Sequence, residues 1–173
     1  LLKKSADYAK DLGDRLKDRV FVEIFPQFAK GFIADMRAQG VTELDLDAVF
    51  SGTMTFLYRL MFILYAESLE LLPVNEANGY HQLSLYRLKD EIARAGGDVE
   101  DTAPKTLAAH YSDTSTDLYT RLKELFRVID DGSDQMNMPT YNGGLFSVET
   151  DGGKFLDTYM IPDRYLAIGL DRL

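Results

Sequence analysis

One stretch of the sequence constrains the fold more than any other. Between Phe56 and Ala66, ten of eleven residues are apolar, and the exception is Arg59. A membrane-spanning helix needs about 20 apolar residues, so this shorter run predicts a helix buried within a protein. In the wider segment 51–73 apolar positions lie on nearly every side, which is typical of a helix in the middle of a bundle. Pro73 is expected to end this helix because its ring blocks continuation.

Apolar residues three and four positions apart predict further helices on both sides of this segment. Pro26 is expected to separate a first helix from a second, Gly40 to end the second, and Thr42 with an acidic run to start the next. Residues 98–106 and the Gly-rich residues 132–154 have no helical period and predict loops. The predicted helices outside the central segment are 2–24, 28–39, 85–95, 118–129 and a last one that begins near 163.

These patterns predict an all-α fold, an irregular helical bundle around a buried central helix with a long Gly-rich loop near the C-terminus. The 173 residues, 46% of them hydrophobic, fit a single helical domain over 1–173, with a subdivision considered at the polar linker 73–84. The chain starts without Met and stops inside a helical pattern that ends at Leu173. We therefore expect a fragment of a larger polypeptide.

Composition excludes several kinds of site. The sequence has no Cys and two His, His81 and His110, which excludes disulfides, thiol nucleophiles, Cys-based zinc sites and multi-His metal sites. A net charge of −9 is poorly suited to general nucleic-acid binding. The first residues lack an apolar core long enough for a signal peptide. A cytoplasmic protein that is not bound to a membrane is the expectation.

Two groups of charged residues are candidates for chemistry. Glu67 and Glu70 lie three positions apart and, with Asp130, could form the metal site of an unrelated hydrolase. We favour a structural role for Glu67, in which it bonds an Arg or a loop amide. The first 30 residues carry a charge of +2, and their candidate DNA contacts are Lys3, Lys4, Lys10, Arg15 and Arg19; Arg87, Arg94 and Arg121 could join them. Charges of both signs alternate along this helix, which favours an ordinary solvated face.

Two Gly-rich segments are candidates for phosphate-binding loops. The sequence DGGK at 151–154 lacks the Ser or Thr that follows Lys in a P-loop, so we reject that interpretation. The sequence YNGGLF is different, because two Gly permit backbone angles closed to other residues and large apolar residues flank them. It predicts a tight turn held by apolar anchors rather than a ligand-binding loop. Its members are Tyr141, Asn142, Gly143, Gly144, Leu145 and Phe146.

The order of four segments resembles a known family. The segments are LYRLMFILYAESLELLP, LYTRLKELFRVIDDG, YNGGLF and FLDTYMIPDRYLAIGLDRL, and together they lie within residues 57–173. In this order they resemble large single-chain type IIG restriction–modification enzymes and related adenine-specific DNA methyltransferases of phage defence. The matching positions are Tyr65, Ala66, Glu67, Leu71, Leu72, Pro73, Leu125, Phe126, Gly132 and the residues of YNGGLF. The chain departs from the family at Leu69 and Glu70, where Arg-Gly is common, and at Tyr119, where Trp is common.

The resemblance implies a role without catalysis for this part of the enzyme. In the family, a later domain binds S-adenosylmethionine and methylates adenine through an NPPY-type motif. Here NMPT at 137–140 has Met138 and Thr140 at the positions where that motif has Pro and Tyr. The chain therefore resembles the helical connector before the methyltransferase domain, which would be its partner and would bring it to DNA. No cofactor is expected in the connector itself. The alternatives are a helical module that contacts the DNA backbone and the hydrolase metal site.

Replacing Gly143 and Gly144 together by Val should lower the melting temperature. Val is β-branched and rejects the left-handed backbone angles that we expect in this turn. Thermal unfolding followed by circular dichroism measures the effect, and an unchanged melting temperature would show that the turn is ordinary.

Overall fold

The computed structural model describes residues 2–141 and 143–173, and within these ranges the chain is helical without a strand. The predicted all-α class is confirmed. In chain order the helices are α1 (Leu2–Asp18), α2 (Phe25–Ala38), α3 (Leu46–Ser68), α4 (Tyr80–Leu83), α5 (Leu85–Gly96), α6 (Ala103–His110), α7 (Asp117–Asp131), α8 (Asp151–Thr158) and α9 (Asp163–Arg172).

α1 and α2 form one continuous helix through a π-helical turn at Arg19–Ile24. The predicted break at Pro26 is therefore wrong. The Phe25 N–H donates to the carbonyl of Val20, five residues earlier, so this turn is wider than an α-helical one. Pro26 follows directly after this wider turn and has no N–H to donate, so the continuous helix lacks one backbone hydrogen bond there.

α1 stands clear of the rest of the molecule. Every residue from Leu2 to Arg19 is exposed, whereas α2 buries Phe28, Phe32 and Met36. At 1.5 Å per residue, the 17 residues of α1 extend over about 25 Å. The molecule is thus a bundle with a bare helical arm.

α3 is shorter at both ends than the sequence predicts. It starts at Leu46, not near Thr42, because Asp45 accepts a hydrogen bond from the Ala48 N–H and caps it. It ends at Ser68, five residues before Pro73. The N–H of Leu71 donates to the Ala66 carbonyl at 2.8 Å and that of Glu70 to the Glu67 carbonyl at 3.1 Å. This Schellman motif places Glu70 at a positive φ of 55° and ends the helix.

α3 supplies the centre of the core. Phe56 lies in the middle of an aromatic cluster, with ring centroids 5.0 Å from Phe28, 5.8 Å from Phe32 and 5.7 Å from Tyr119. By length and composition α3 is also the one helix in the described chain that could cross a membrane. Its burial is one-sided, since Tyr58, Met61 and Tyr65 are exposed.

Three helices lie where the sequence predicted loops or a linker. α4 falls in the linker 73–84, α6 overlaps 98–106, and α8 overlaps the Gly-rich loop, which therefore ends at residue 150. These helices are too short for an apolar period to be detected in the sequence. Residues at their N-terminal ends define them instead. Pro104 lies in the first turn of α6, and the hydroxyl of Thr150 accepts from the Gly153 N–H to cap α8. Buried residues from both sides of 73–84 belong to one core cluster.

α8 packs very closely on α3. Gly52 of α3 faces the ring of Phe155, and Gly152 of α8 faces the side chain of Thr55. A Cβ on Gly52 would overlap the Phe155 ring. The sequence DGGK is thus a helix start fitted against α3.

We expect Gly52→Ala to lower the free energy of unfolding by about 1–3 kcal/mol, because the added methyl group forces α8 away from α3. Gly13→Ala is the matched control, since a Cβ at Gly13 has nothing within 4 Å. In the exposed α1 the same change should raise helix stability by about 0.5–1 kcal/mol. Urea denaturation measures both changes, and equal effects would contradict the close α3–α8 contact.

Candidate functional site

The charged residue of the apolar run is the centre of the most unusual site. Arg59 is 3% exposed, and the turn of α3 points its guanidinium at the loop that carries YNGGLF. Its Nε donates to the Leu145 carbonyl at 2.8 Å and its Nη2 to the Ser147 carbonyl at 3.2 Å. A buried cation needs such acceptors, because leaving water without them is costly. Arg59 therefore ties the loop to the central helix.

Aromatic rings surround the same guanidinium. The Cζ of Arg59 lies 5.1 Å from the ring centroid of Phe126 and 5.6 Å from that of Phe146, within cation–π distance. Burial lowers the pKa of Arg59, and the fields of Tyr119 and Asp130 act in the opposite direction. The charge is thus stabilised by carbonyl dipoles, ring faces and a more distant carboxylate.

The loop closes through its own large side chains. The ring of Tyr141 lies 4.8 Å from that of Phe62, and Phe146 is buried 5.5 Å from Phe62. Leu145 packs against the core, and the Tyr141 N–H donates to the Ile129 carbonyl. This geometry agrees with an apolar turn held by its anchors. Asn142, which the sequence placed in the same motif, lies outside the described residues.

The two glycines of the turn are required for different reasons. Gly144 has a φ of +79°, the left-handed conformation that the sequence predicted. Gly143 has no such angle, so the expectation for it is wrong. A Cβ there would lie 2.7 Å from the Tyr141 ring, so the requirement is steric. The double Val change is still expected to destabilise the turn, through two mechanisms.

A cavity of about 460 Å³ opens beside Arg59. Lys123, Arg127, Asp130 and Asp157 contribute charges of both signs to its lining, and Lys123 pairs with Asp157 at 3.2 Å. No single sign of charge dominates this cavity, so its walls do not favour an anion over a cation.

Glu67 is a structural carboxylate. It is 8% exposed, and its Oε1 accepts from the Tyr80 hydroxyl at 2.7 Å and from the Leu85 N–H at 2.9 Å. Its Oε2 accepts from the Tyr86 N–H at 2.8 Å. These amides begin α5, where a negative charge also interacts favourably with the helix dipole. Glu67 thus joins the end of α3 to the start of α5. Its bonds to backbone amides agree with the structural role that the sequence favoured. Burial and the adjacent carboxylate raise the pKa of Tyr80.

A second cleft of about 770 Å³ lies next to Glu67 and is lined partly by Glu70, His81, Lys89 and Asp171. Burial lowers the pKa of Lys89, and Asp171 partly offsets that effect. Glu70 accepts from Asn75 at 2.9 Å. Pro73 lies in the following turn, where its carbonyl accepts from the Glu76 N–H.

The predicted carboxylate metal site is not assembled. Within residues 2–141 and 143–173, no three His, Asp or Glu side chains converge closely enough to hold a metal ion. Glu67 and Glu70 line the larger cleft, whereas Asp130 lines the cavity beside Arg59. The geometry gives the hydrolase alternative no support.

The candidate DNA contacts do not form one basic face. Around α1, Lys3 and Lys10 lie on one side and Lys4, Arg15 and Arg19 on another. A row of aspartates lies between the two groups: Asp7, Asp11, Asp14 and Asp18. Arg15 pairs with Asp11 at 2.7 Å and Arg19 with Glu100 at 3.5 Å.

The arginines considered with them are also paired. Arg87 and Arg121 both bond Glu91, whose pKa is lowered mainly by the hydrogen bond from Arg121, and Arg94 pairs with Asp90. Together with Arg15 and Arg19, five of the eight candidate cations therefore pair with acidic neighbours.

Sequence reasoning missed two buried polar contacts. Asp163, 6% exposed, accepts from the Leu118 N–H at 3.0 Å and caps α7 from α9. The hydroxyl of the buried Tyr119 donates to the Leu156 carbonyl at 2.7 Å. Neither had a local signal, because both partners are distant in the sequence. The buried contacts of Arg59 did have a signal in the sequence, because Arg59 is the one charged residue in an apolar run.

Replacing Arg59 by Met should lower the free energy of unfolding by about 2–3 kcal/mol, because the carbonyls of Leu145 and Ser147 lose their donors. Arg127→Met, an exposed change on α7, should stay within about 0.5 kcal/mol. Urea denaturation and proteolysis of the 141–147 loop provide the measurements. Equal stability and equal cleavage of the two variants would show that Arg59 does not hold the loop.

Comparisons with protein-family models, with curated proteins and with solved structures found no match to this chain.

Proposed function

We propose that this chain is a non-catalytic helical connector of a restriction–modification enzyme or adenine-specific DNA methyltransferase, and that it positions the methyltransferase domain on DNA. The observation that carries the proposal is the continuous α1–α2 helix. Its second half is packed into the bundle, and its first half projects as a bare arm. A stiff arm of this kind fixes both the distance and the orientation between the parts that it joins.

The geometry of YNGGLF supports the same role. Its turn contacts Phe62 and Arg59 of the same domain, so the motif closes this domain. The two other motif residues, Glu67 and Pro73, lie at the junction between α3 and α5, where Glu67 bonds α5. The motif residues that the structure describes therefore hold helices and loops in place.

The partners follow from the proposal. The connector would adjoin a methyltransferase domain that binds S-adenosylmethionine, and it would reach DNA through that enzyme in the cytoplasm. The alternative of direct DNA-backbone contact is not proposed, because five of its eight cations are paired with acidic residues and a row of aspartates separates the cations on α1 into two groups.

Changing the length of α1 tests this function in the full-length enzyme. Seven residues inserted after Gly13 add about 10 Å and keep the helical phase, whereas two residues rotate the arm by about 200°. Because the methyltransferase domain would follow α9, both insertions displace the part of the enzyme that precedes α1 from the bundle and the methyltransferase domain. They should therefore prevent the two parts from contacting DNA together and reduce methylation at least tenfold, without weakening S-adenosylmethionine binding. The same residues inserted after Asp98, in the loop between α5 and α6, are the control and should change activity less than twofold.

Two results would contradict the connector function. One is full methylation activity in both α1 variants, which would mean that the arm fixes no distance. The other is tight S-adenosylmethionine binding or methyl transfer by this chain alone, measured by calorimetry and by incorporation of labelled methyl groups.

A further inference from the structure

The exposed side of α3 carries a row of large apolar residues. Phe50 is 55% exposed, Tyr58 54% and Tyr65 63%, although the opposite side of the same helix forms the core. The half-buried Met54 continues the row. We call this row the α3 strip, and its exposed members are Leu46, Phe50, Tyr58, Met61, Tyr65 and Leu69.

The order of residue types along the α3 strip is almost the same when it is read from either end of the helix. Read forward it is Leu, Phe, Met, Tyr, Met, Tyr, Leu, a palindrome in which Phe50 corresponds to Tyr65. An isologous two-fold contact requires such a surface, because each residue then meets its counterpart in the second copy. From this we infer that the α3 strip is the interface of a homodimer in which two α3 helices pack antiparallel.

The spacing defines the register. With the two-fold axis near Tyr58, Leu46 of one copy faces Leu69 of the other, Phe50 faces Tyr65, and Met54 faces Met61. In each pair the residue numbers add up to 115, so a single register brings all three pairs together. Aromatic and Met side chains are also the types enriched at protein interfaces.

Charge favours the antiparallel arrangement over a parallel one. Asp47 is the acidic residue at the start of α3, next to the strip. In a parallel pair, the two copies of Asp47 would face each other and repel. In the antiparallel pair they lie at opposite ends, about 30 Å apart at 1.5 Å per residue, and each faces Ser68.

The available area fits a dimer of moderate affinity. Aromatic side chains can each bury about 150–250 Å², and the exposed fractions of the strip residues leave on the order of 600 Å² per copy. Two copies would remove about 1,200 Å² from water, the lower limit for stable interfaces. The inference goes beyond the connector function and does not depend on it.

A charge-swap experiment tests both the dimer and its register. Sedimentation velocity from 1 to 100 μM should show a reversible monomer–dimer equilibrium for the unchanged chain. Phe50→Lys and Tyr65→Glu alone should each weaken dimerisation at least tenfold, since each removes a ring from the apolar contact and takes a charge out of water without an opposite charge in the other copy. The double variant F50K/Y65E should recover the affinity to within about threefold, because each Lys then faces a Glu of the other copy. Tyr8→Glu on the bare α1 is the control and should have no effect.

A second measurement uses the absence of cysteine from the sequence. Tyr58→Cys places one thiol near the two-fold axis, and mild oxidation should produce a disulfide-linked dimer, whereas Tyr8→Cys should not. Three outcomes would overturn the proposal: a monomer at 100 μM, a double variant no better than the single ones, or a monomer that instead binds phosphatidylcholine vesicles through α3. Circular dichroism melting of every variant verifies that the fold is retained.

Discussion

The fold depends on the burial of one positive charge in its most apolar helix. The guanidinium of Arg59 has left water, and its donors require acceptors inside the protein. Because the YNGGLF loop supplies two carbonyls and an aromatic face, the loop has one position in which the charge is satisfied. The loop, the end of α7 and α3 are thereby fixed with respect to one another. An apolar residue at position 59 would pack there without selecting a loop conformation.

Carboxylates perform the same task at two other junctions. Glu67 accepts from the first two amides of α5, and Asp163 accepts from an amide in the first turn of α7. Each acid lies on one helix and satisfies donors that another helix leaves free at its start. The bundle is therefore fixed by a few polar contacts between elements as well as by apolar packing, and each contact involves a helix end or a loop.

The sequence predicted those features that depend on residues close together in the chain. Gly40, which was predicted to end the second helix, follows α2 with a positive φ, and the apolar periods locate α2, α5 and α7. Prediction from the sequence failed where contacts between distant residues, or interactions at helix ends, determine the structure. The end of α3 is set by a Schellman motif at Glu70, a residue type without that preference, and α6 and α8 are too short for a period. At the candidate site, Arg59 and YNGGLF were each visible in the sequence, but their contact joins positions more than 80 residues apart.

The π-helical turn at Arg19–Ile24 has a consequence for the direction of the arm. In a helix each residue turns the chain by about 100°. The π-helical turn at the base of α1 closes over five residues instead of four, so it holds one residue more than an α-helical turn. Deleting one residue there would convert it to an α-helical turn and leave the apolar stripe of α1, with Leu12 and Leu16, facing nearly the same way, whereas deleting one residue within α1 would rotate the part before the deletion by about 100°. The six residues at the base of the arm can thus take up a one-residue change in chain length without redirecting the stripe, which the α-helical residues of the arm cannot do.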